Sequence, residues 1–266
     1  MRVSARSRHD ACVKCAGTRT AAGQDASPAP GTAHVWWARR QDAAPNLERL
    51  LDEAEQGRLA AYRRPEDRER FLAGCALAKA VFGRYLGRDP AEIRLDRTCP
   101  RCGKPHGKPR LPDVGALALE LSVSHAGDLV AVAVATGARV GVDVEPLERR
   151  LRPVELASVA LAPEEADELA ALGEGERIRA FLVYWTRKEA ATKAVGLGLE
   201  IVLAEVRVSA PHQPARLLSW GHDVAAEDVA LTDLAAPDGH VAALAVVGVC
   251  EEVVELDGSA LLRSAS

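Results

Sequence analysis

The run Gly141-Val142-Asp143-Val144-Glu145 carries two carboxylates two residues apart. The run from Trp185 to Lys193 carries Glu189 and Lys193 four residues apart. In an extended chain, side chains at i and i+2 leave on the same side. In a helix, side chains at i and i+4 stack one turn apart on one face. Three acids meeting at one spot repel unless a cation sits among them. A hard cation such as Mg²⁺ takes oxygen ligands and keeps positions open for water and phosphate. A lysine beside it suits the phosphate. The pattern points to metal-assisted phosphoryl chemistry. Each motif alone has a plainer reading: a solvated strand end for the acids, and an i, i+4 salt bridge for Glu189 and Lys193.

Positioning these groups asks for a strand and a helix. From Arg139 to Glu145 the valines fall on one face, and Gly141, Asp143 and Glu145 on the other. The apolar, β-branched run 129–135 before it reads as a buried strand. Ile178, Phe181, Leu182 and Trp185 recur at helical spacing and predict one apolar stripe, which Glu189 and Lys193 continue. Gly196 and Gly198 are expected to end that helix.

Other helices are expected at 46–62, 66–86, 153–160 and 163–172, and a short one after the Asp89-Pro90 cap. Phe71, Ala78, Phe82, Tyr85 and Leu86 make a plausible core face on the second of these. Further strands are expected near 34–38, 119–123, 204–209, 215–220, 228–234 and 241–249. Residues after 257 are expected to fray. Residues 1–33 are rich in Ala, Ser, Thr, Gly and Arg with little periodicity, and read as a disordered, dispensable tail. The fold class is α+β.

At 266 residues the chain suits one large domain or two small ones. A net charge of −4 gives no nucleic-acid footprint. No apolar run approaches a membrane span, and no secretory h-region opens the chain, so a cytoplasmic location is expected. The six cysteines then read as reduced thiols. Cys99, Cys102 and His106 supply three of the four ligands a closed zinc site needs. Cys12 and Cys15 could add to them, but they lie in the expected tail. A tight loop and a zinc-ribbon interaction module are both open readings of this stretch.

Two more elements lie upstream: Gly107-Lys108-Pro109 and Ser122-Val123-Ser124-His125-Ala126-Gly127. With Gly141–Glu145 and Trp185–Leu199, these four motifs in this order resemble the 4′-phosphopantetheinyl transferases. The likeness is to the long, pseudo-dimeric type typified by the surfactin-synthetase activator, and it covers roughly residues 34 to 250. The short trimeric carrier-protein synthases are about half this length and fit poorly.

The resemblance implies two similar α+β halves, 34–138 and 139–257, related by a pseudo-two-fold axis with the active site in the cleft between them. It implies transfer of the phosphopantetheine arm of coenzyme A to a serine of apo carrier proteins of polyketide, fatty-acid or non-ribosomal peptide synthases. Adenosine 3′,5′-bisphosphate would be released. It implies Mg²⁺ held by Asp143, Glu145 and Glu189, with Glu189 and Lys193 as the catalytic pair. It places Arg58, Arg70, Lys108, Ser124 and His125 around the coenzyme A nucleotide. His125 would meet the 3′-phosphate. Phe71 stands where the family often has a small hydroxyl residue. Glu165 matches an acidic position near the metal cleft, and Arg149, Arg150 and Arg152 could face an acidic carrier. Solvated surface is the plain alternative for Arg58, Arg70 and the three later arginines. The chain is expected to act as a monomer, with no nucleic acid or membrane partner. A non-catalytic carrier-binding relative is the competing reading, which the intact acids and Lys193 argue against.

Overall fold

The computed structural model describes residues 14–15, 26–105, 107–112, 118–148, 152–197, 201–237 and 239–266. Most of the expected tail and His106, Arg149, Arg150, Gly198 and Leu199 lie outside them.

Two sheets pack face to face, and each carries a 22-residue helix on its outer side. The first sheet has the order β1-β10-β2-β4-β3. Its strands are β1 (Lys14–Cys15), β2 (Thr32–Arg39), β3 (Leu119–Ala126), β4 (Leu129–Thr136) and β10 (Glu252–Asp257). The second has the order β5-β9-β8, from β5 (Arg139–Pro146), β8 (Val229–Asp233) and β9 (His240–Val247). A separate pair joins β6 (Arg207–Val208) to β7 (Leu217–Ser219).

Alternation explains the layering. Val35 and Trp37 of β2, Leu129 and Ala131 of β4, and Val140, Val142 and Val144 of β5 meet in the core between the sheets. The opposite face of the first sheet, with Trp36, Leu121 and Val132, packs on α2 (Pro65–Leu86). The opposite face of the second, with Val241, Ala243 and Ala245, packs on α5 (Glu174–Val195). The strand order repeats: β2-β4-β3 and β5-β9-β8 both run first, third, second in chain order, with the long helix after the first strand.

Several expected elements differ. The helix expected over 46–62 is broken into a 3-10 turn, Pro45–Leu50, and α1 (Glu53–Ala61). Asp52 accepts a hydrogen bond from the Glu55 amide at 2.8 Å and Glu55 returns one, so a capping box starts a new helix inside a continuous-looking pattern. The strand expected at 204–209 begins as a 3-10 turn and shortens to β6. Residues after 257 do not fray: α6 (Ser259–Ser264) buries Leu261 and Leu262 against the α2 core. The expected 139–257 half also loses its last strand, because β10 crosses back to pair in parallel with β2. Within the expected tail, Lys14–Cys15 pair with β10. Helices α3 (Pro153–Ala160) and α4 (Pro163–Ala171) stand where expected. No helix among the described residues is long and apolar enough to cross a membrane.

The two layers of the second half meet at Gly141. A Cβ there would run into Ala190 O and the Ala194 amide of α5. Only glycine lets β5 and α5 approach this closely. Gly141→Ala should therefore cost about 3 kcal/mol through overpacking of helix on strand. Urea denaturation of the purified variant measures this; an unchanged midpoint would contradict the close contact.

Candidate active site

The acidic strand lies at a seam. β5 pairs with β9 on one side only, and β3, the edge of the first sheet, runs along its other side. The Val142 amide, with no strand partner there, donates to Ser122 Oγ at 3.1 Å. One pleat further on, Ser124 Oγ donates to Asp143 Oδ1 at 3.0 Å. Alternation along β3 sends Ser122 and Ser124 toward β5, and Val123 and His125 the other way. Ser124 thus joins the acids, while His125 faces the α2 side, next to Gly74.

Helix α5 brings in the rest. Lys193 Nζ donates to Asp143 Oδ1 at 2.6 Å and to Ser124 Oγ at 3.2 Å. Glu189, one turn back, is 6 % exposed. Burial raises its pKa, repulsion from Asp143 adds to this, Lys193 opposes it, and Glu145 raises it again. Glu145 is half-buried at the open end of the strand. The three acids and Lys193 are therefore brought together.

Asp143 Oδ2 and Glu189 Oε1 are buried with no hydrogen-bond partner. Buried carboxylate oxygens normally find donors or a cation. Among the described residues no three His, Cys, Asp or Glu side chains are placed so that they could hold a metal ion. The two orphaned oxygens nevertheless fit a hard, oxygen-liganded cation in chemistry and charge.

The burial of α5 is not the single stripe expected. From Thr186 to Thr192 every residue is buried. Arg187 forms a fork on Asp233 at 2.8 and 2.6 Å and donates to Ser209 O at 2.7 Å. Lys188 points away from the acids, donating to Ala160 O at 2.9 Å, Leu203 O at 3.0 Å and Glu165 Oε2 at 2.5 Å. Burial lowers its pKa, which Glu165 opposes. At the far end Gly196 adopts φ +81, and Lys108 Nζ caps the Ala194 carbonyl at 3.2 Å.

Glu165 does not join Asp143, Glu145 and Glu189. It is buried, accepts from the Ala162 and Val208 amides at 2.8 and 2.9 Å, and pairs with Lys188. Its oxygens are consumed by anchoring α4 to α5 and β6. Lys108 is likewise engaged, by Ala194 O and Glu120; burial lowers its pKa, and the Glu120 charge opposes that. Arg70 donates to Gly127 O at 2.7 Å, in the β3–β4 turn, and pairs with Asp67. Arg58 stacks over Phe71, 5.1 Å from the ring centre, so an aromatic face takes the place of a hydroxyl.

His125 is exposed at the surface. Desolvation lowers its pKa, a hydrogen bond to its own backbone opposes that, and Lys193, Arg70 and Arg97 add repulsion. Arg97 was not anticipated; its Nε is buried without a partner. It lies in the irregular 94–112 stretch, where no periodicity could single it out. Cys99 is buried, Cys102 is exposed, and neither forms a disulfide. Arg152 is exposed and pairs with Glu155 at 2.9 Å.

Comparison with known proteins matches both halves. The family described as the 4′-phosphopantetheinyl transferase superfamily matches residues 139–245, and that described as 4′-phosphopantetheinyl transferase, N-terminal, matches 35–137. The 4′-phosphopantetheinyl transferase HetI of Nostoc sp. is 31 % identical over 220 residues, 81 % of this chain and 87 % of its own. A phosphopantetheinyl transferase of Thraustochytrium sp. is 32 % identical over 187 residues, 64 % of this chain and 63 % of its own. The 4′-phosphopantetheinyl transferase Sfp of Bacillus subtilis is 27 % identical over 171 residues, 59 % of this chain and 70 % of its own.

Two outcomes follow from the geometry. Glu165→Ala leaves Lys188 buried and unpaired, and should destabilise the fold by about 3–5 kcal/mol, measured by denaturant unfolding. A metal-binding role would instead leave stability nearly intact. Glu189 has its folded pKa raised, so in metal-free protein its ionisation opposes folding as pH rises above the ordinary value of 4.5. Glu189→Gln should raise the Tm in EDTA at neutral pH, and the gain should vanish below that value. A gain independent of pH would refute the assignment.

Proposed function

The chain belongs to the 4′-phosphopantetheinyl transferase superfamily, and from that premise we propose how its residues move the phosphopantetheine arm of coenzyme A to a carrier-protein serine. The observation that carries the reading is the junction of Asp143, Ser124 and Lys193 across the sheet seam, with the buried Glu189 beside it.

Asp143, Glu145 and Glu189 would hold Mg²⁺, consistent with the two orphaned carboxylate oxygens. When bound, Mg²⁺ neutralises the pyrophosphate and orients it for in-line attack. Glu189 takes the proton of the serine hydroxyl. The serine oxygen forms a bond to the β-phosphorus, and the bond to the bridging oxygen breaks. Adenosine 3′,5′-bisphosphate leaves. Lys193 balances the charge growing on its 5′-phosphate. His125, with Arg70 and Arg58 around α2, meets the 3′-phosphate. Lys193, Arg70 and Arg97 place positive charge around His125.

The two halves are read as related by a pseudo-two-fold axis, with the cleft between them as the active site. The repeated strand order and the paired 22-residue helices support this. Both sides of the seam come from one chain, so a monomer suffices.

Incubation with fluorescent coenzyme A, Mg²⁺ and a panel of apo carrier proteins tests the reading. Label should appear on a carrier serine, stop with EDTA and return with Mg²⁺. Glu189→Ala should lower turnover by about 100-fold or more. Transfer that persists in EDTA without divalent metal would overturn the metal assignment.

A further inference from the structure

We propose that Lys193 is an internal competitor for the cation site: it holds Asp143 until a divalent cation takes its place, and only then turns to the substrate phosphate. This rests on the reading of Asp143, Glu145 and Glu189 as cation ligands.

The spacing of Glu189 and Lys193 favours an ion pair within α5. That pair is not made. Lys193 Nζ instead crosses to β5 and sits 2.6 Å from Asp143 Oδ1, and Glu189 Oε1 stays unpartnered. Ser124 Oγ bridges the arrangement, donating to Asp143 Oδ1 and accepting from Lys193 at 3.2 Å. The ammonium therefore occupies one carboxylate oxygen of a buried acid, while the other oxygen of that acid is empty-handed.

A divalent cation that takes Asp143 as a ligand cannot share it comfortably with an ammonium, because the two cations repel. The three carboxylates outnumber the one ammonium, so the cluster stays anionic with Lys193 in place and still attracts a dication. Lys193 is on the last turn of α5, its side chain is 27 % exposed, and its flexible stem leaves room to swing outward. Asp143, at 6 %, is fixed. Exchange thus moves the lysine and not the acid. The charge needed at the leaving phosphate becomes available as the cation arrives, and cation affinity is weaker than three acids alone would give.

Mn²⁺ binding to the full chain without coenzyme A, followed by electron paramagnetic resonance, tests this. Lys193→Gln should bind Mn²⁺ roughly tenfold more tightly than wild type, because the competing charge is gone. Lys193→Arg keeps the charge and should stay within about threefold of wild type. Mn²⁺ should also raise the Tm of Lys193→Gln by more than it raises that of wild type. A second measurement needs no folded Gln variant: in wild type with ¹³C-labelled lysine, Mg²⁺ should shift the Lys193 Cε resonance, identified by its absence from Lys193→Arg. Equal or weaker Mn²⁺ affinity in Lys193→Gln, equal tightening in Lys193→Arg, or an unmoved Cε resonance overturns the exchange and leaves the cation ligands standing. Failure of wild type and Lys193→Gln alike to bind Mn²⁺ at millimolar concentration removes both readings.

Discussion

The structure depends on how α5 takes charge into a buried layer. Within seven residues the helix buries Arg187, Lys188 and Glu189, and Lys193 follows one turn later. Each unpaired charge at such depth would cost several kcal/mol. Arg187 is satisfied by Asp233 and three backbone carbonyls of the 209–213 loop. Lys188 is satisfied by Glu165 and two carbonyls. These contacts fix the rotation of α5, and that rotation aims Glu189 and Lys193 at the sheet seam. Glu189 is the member left incomplete.

The same contrast separates framework from site elsewhere. In the first half Lys79 is wholly buried, paired with Glu55 at 2.7 Å and donating to Leu50 O at 2.7 Å. That pair ties α1 and the preceding turn to α2 and lies away from the seam. Where a buried charge has its partners, it holds elements together. At Glu55, Asp143 and Glu189 alike one carboxylate oxygen is left without a donor, but only Asp143 and Glu189 lie where further acids share the surroundings. Gly141 completes the design, because without its missing side chain β5 and α5 could not bring the acids within reach of one another.

Much of the second half was legible. The alternation from Arg139 to Glu145 and the 3.6-residue period before Trp185 gave β5 and α5 nearly to their ends, and with them the faces that carry Asp143, Glu189 and Lys193. Other features escaped for identifiable reasons. Asp52 looks like one polar residue in a helical run, and its capping geometry alone divides the run. β10 and α6 gain their burial from β2 and α2, more than 150 residues away, so local pattern left β10 unassigned and α6 indistinguishable from a fraying end. Glu165 and Lys188 carry the same letters as site residues; only their partners reveal that they are framework.

By itself the sequence determined which residue types could do chemistry and which face of each element bears them, because side-chain direction follows from backbone period alone. It also determined the family, through four motifs in order. Tertiary structure decided which charges meet. Lys193 could have closed on Glu189 within its own helix, yet packing at Gly141 brings β5 so near that Asp143 takes it instead. Ser124 and His125, adjacent in sequence, were parted by the pleat of β3, one toward the acids and one toward α2. Such choices depend on distances between elements far apart in the chain, which the order of residues does not contain.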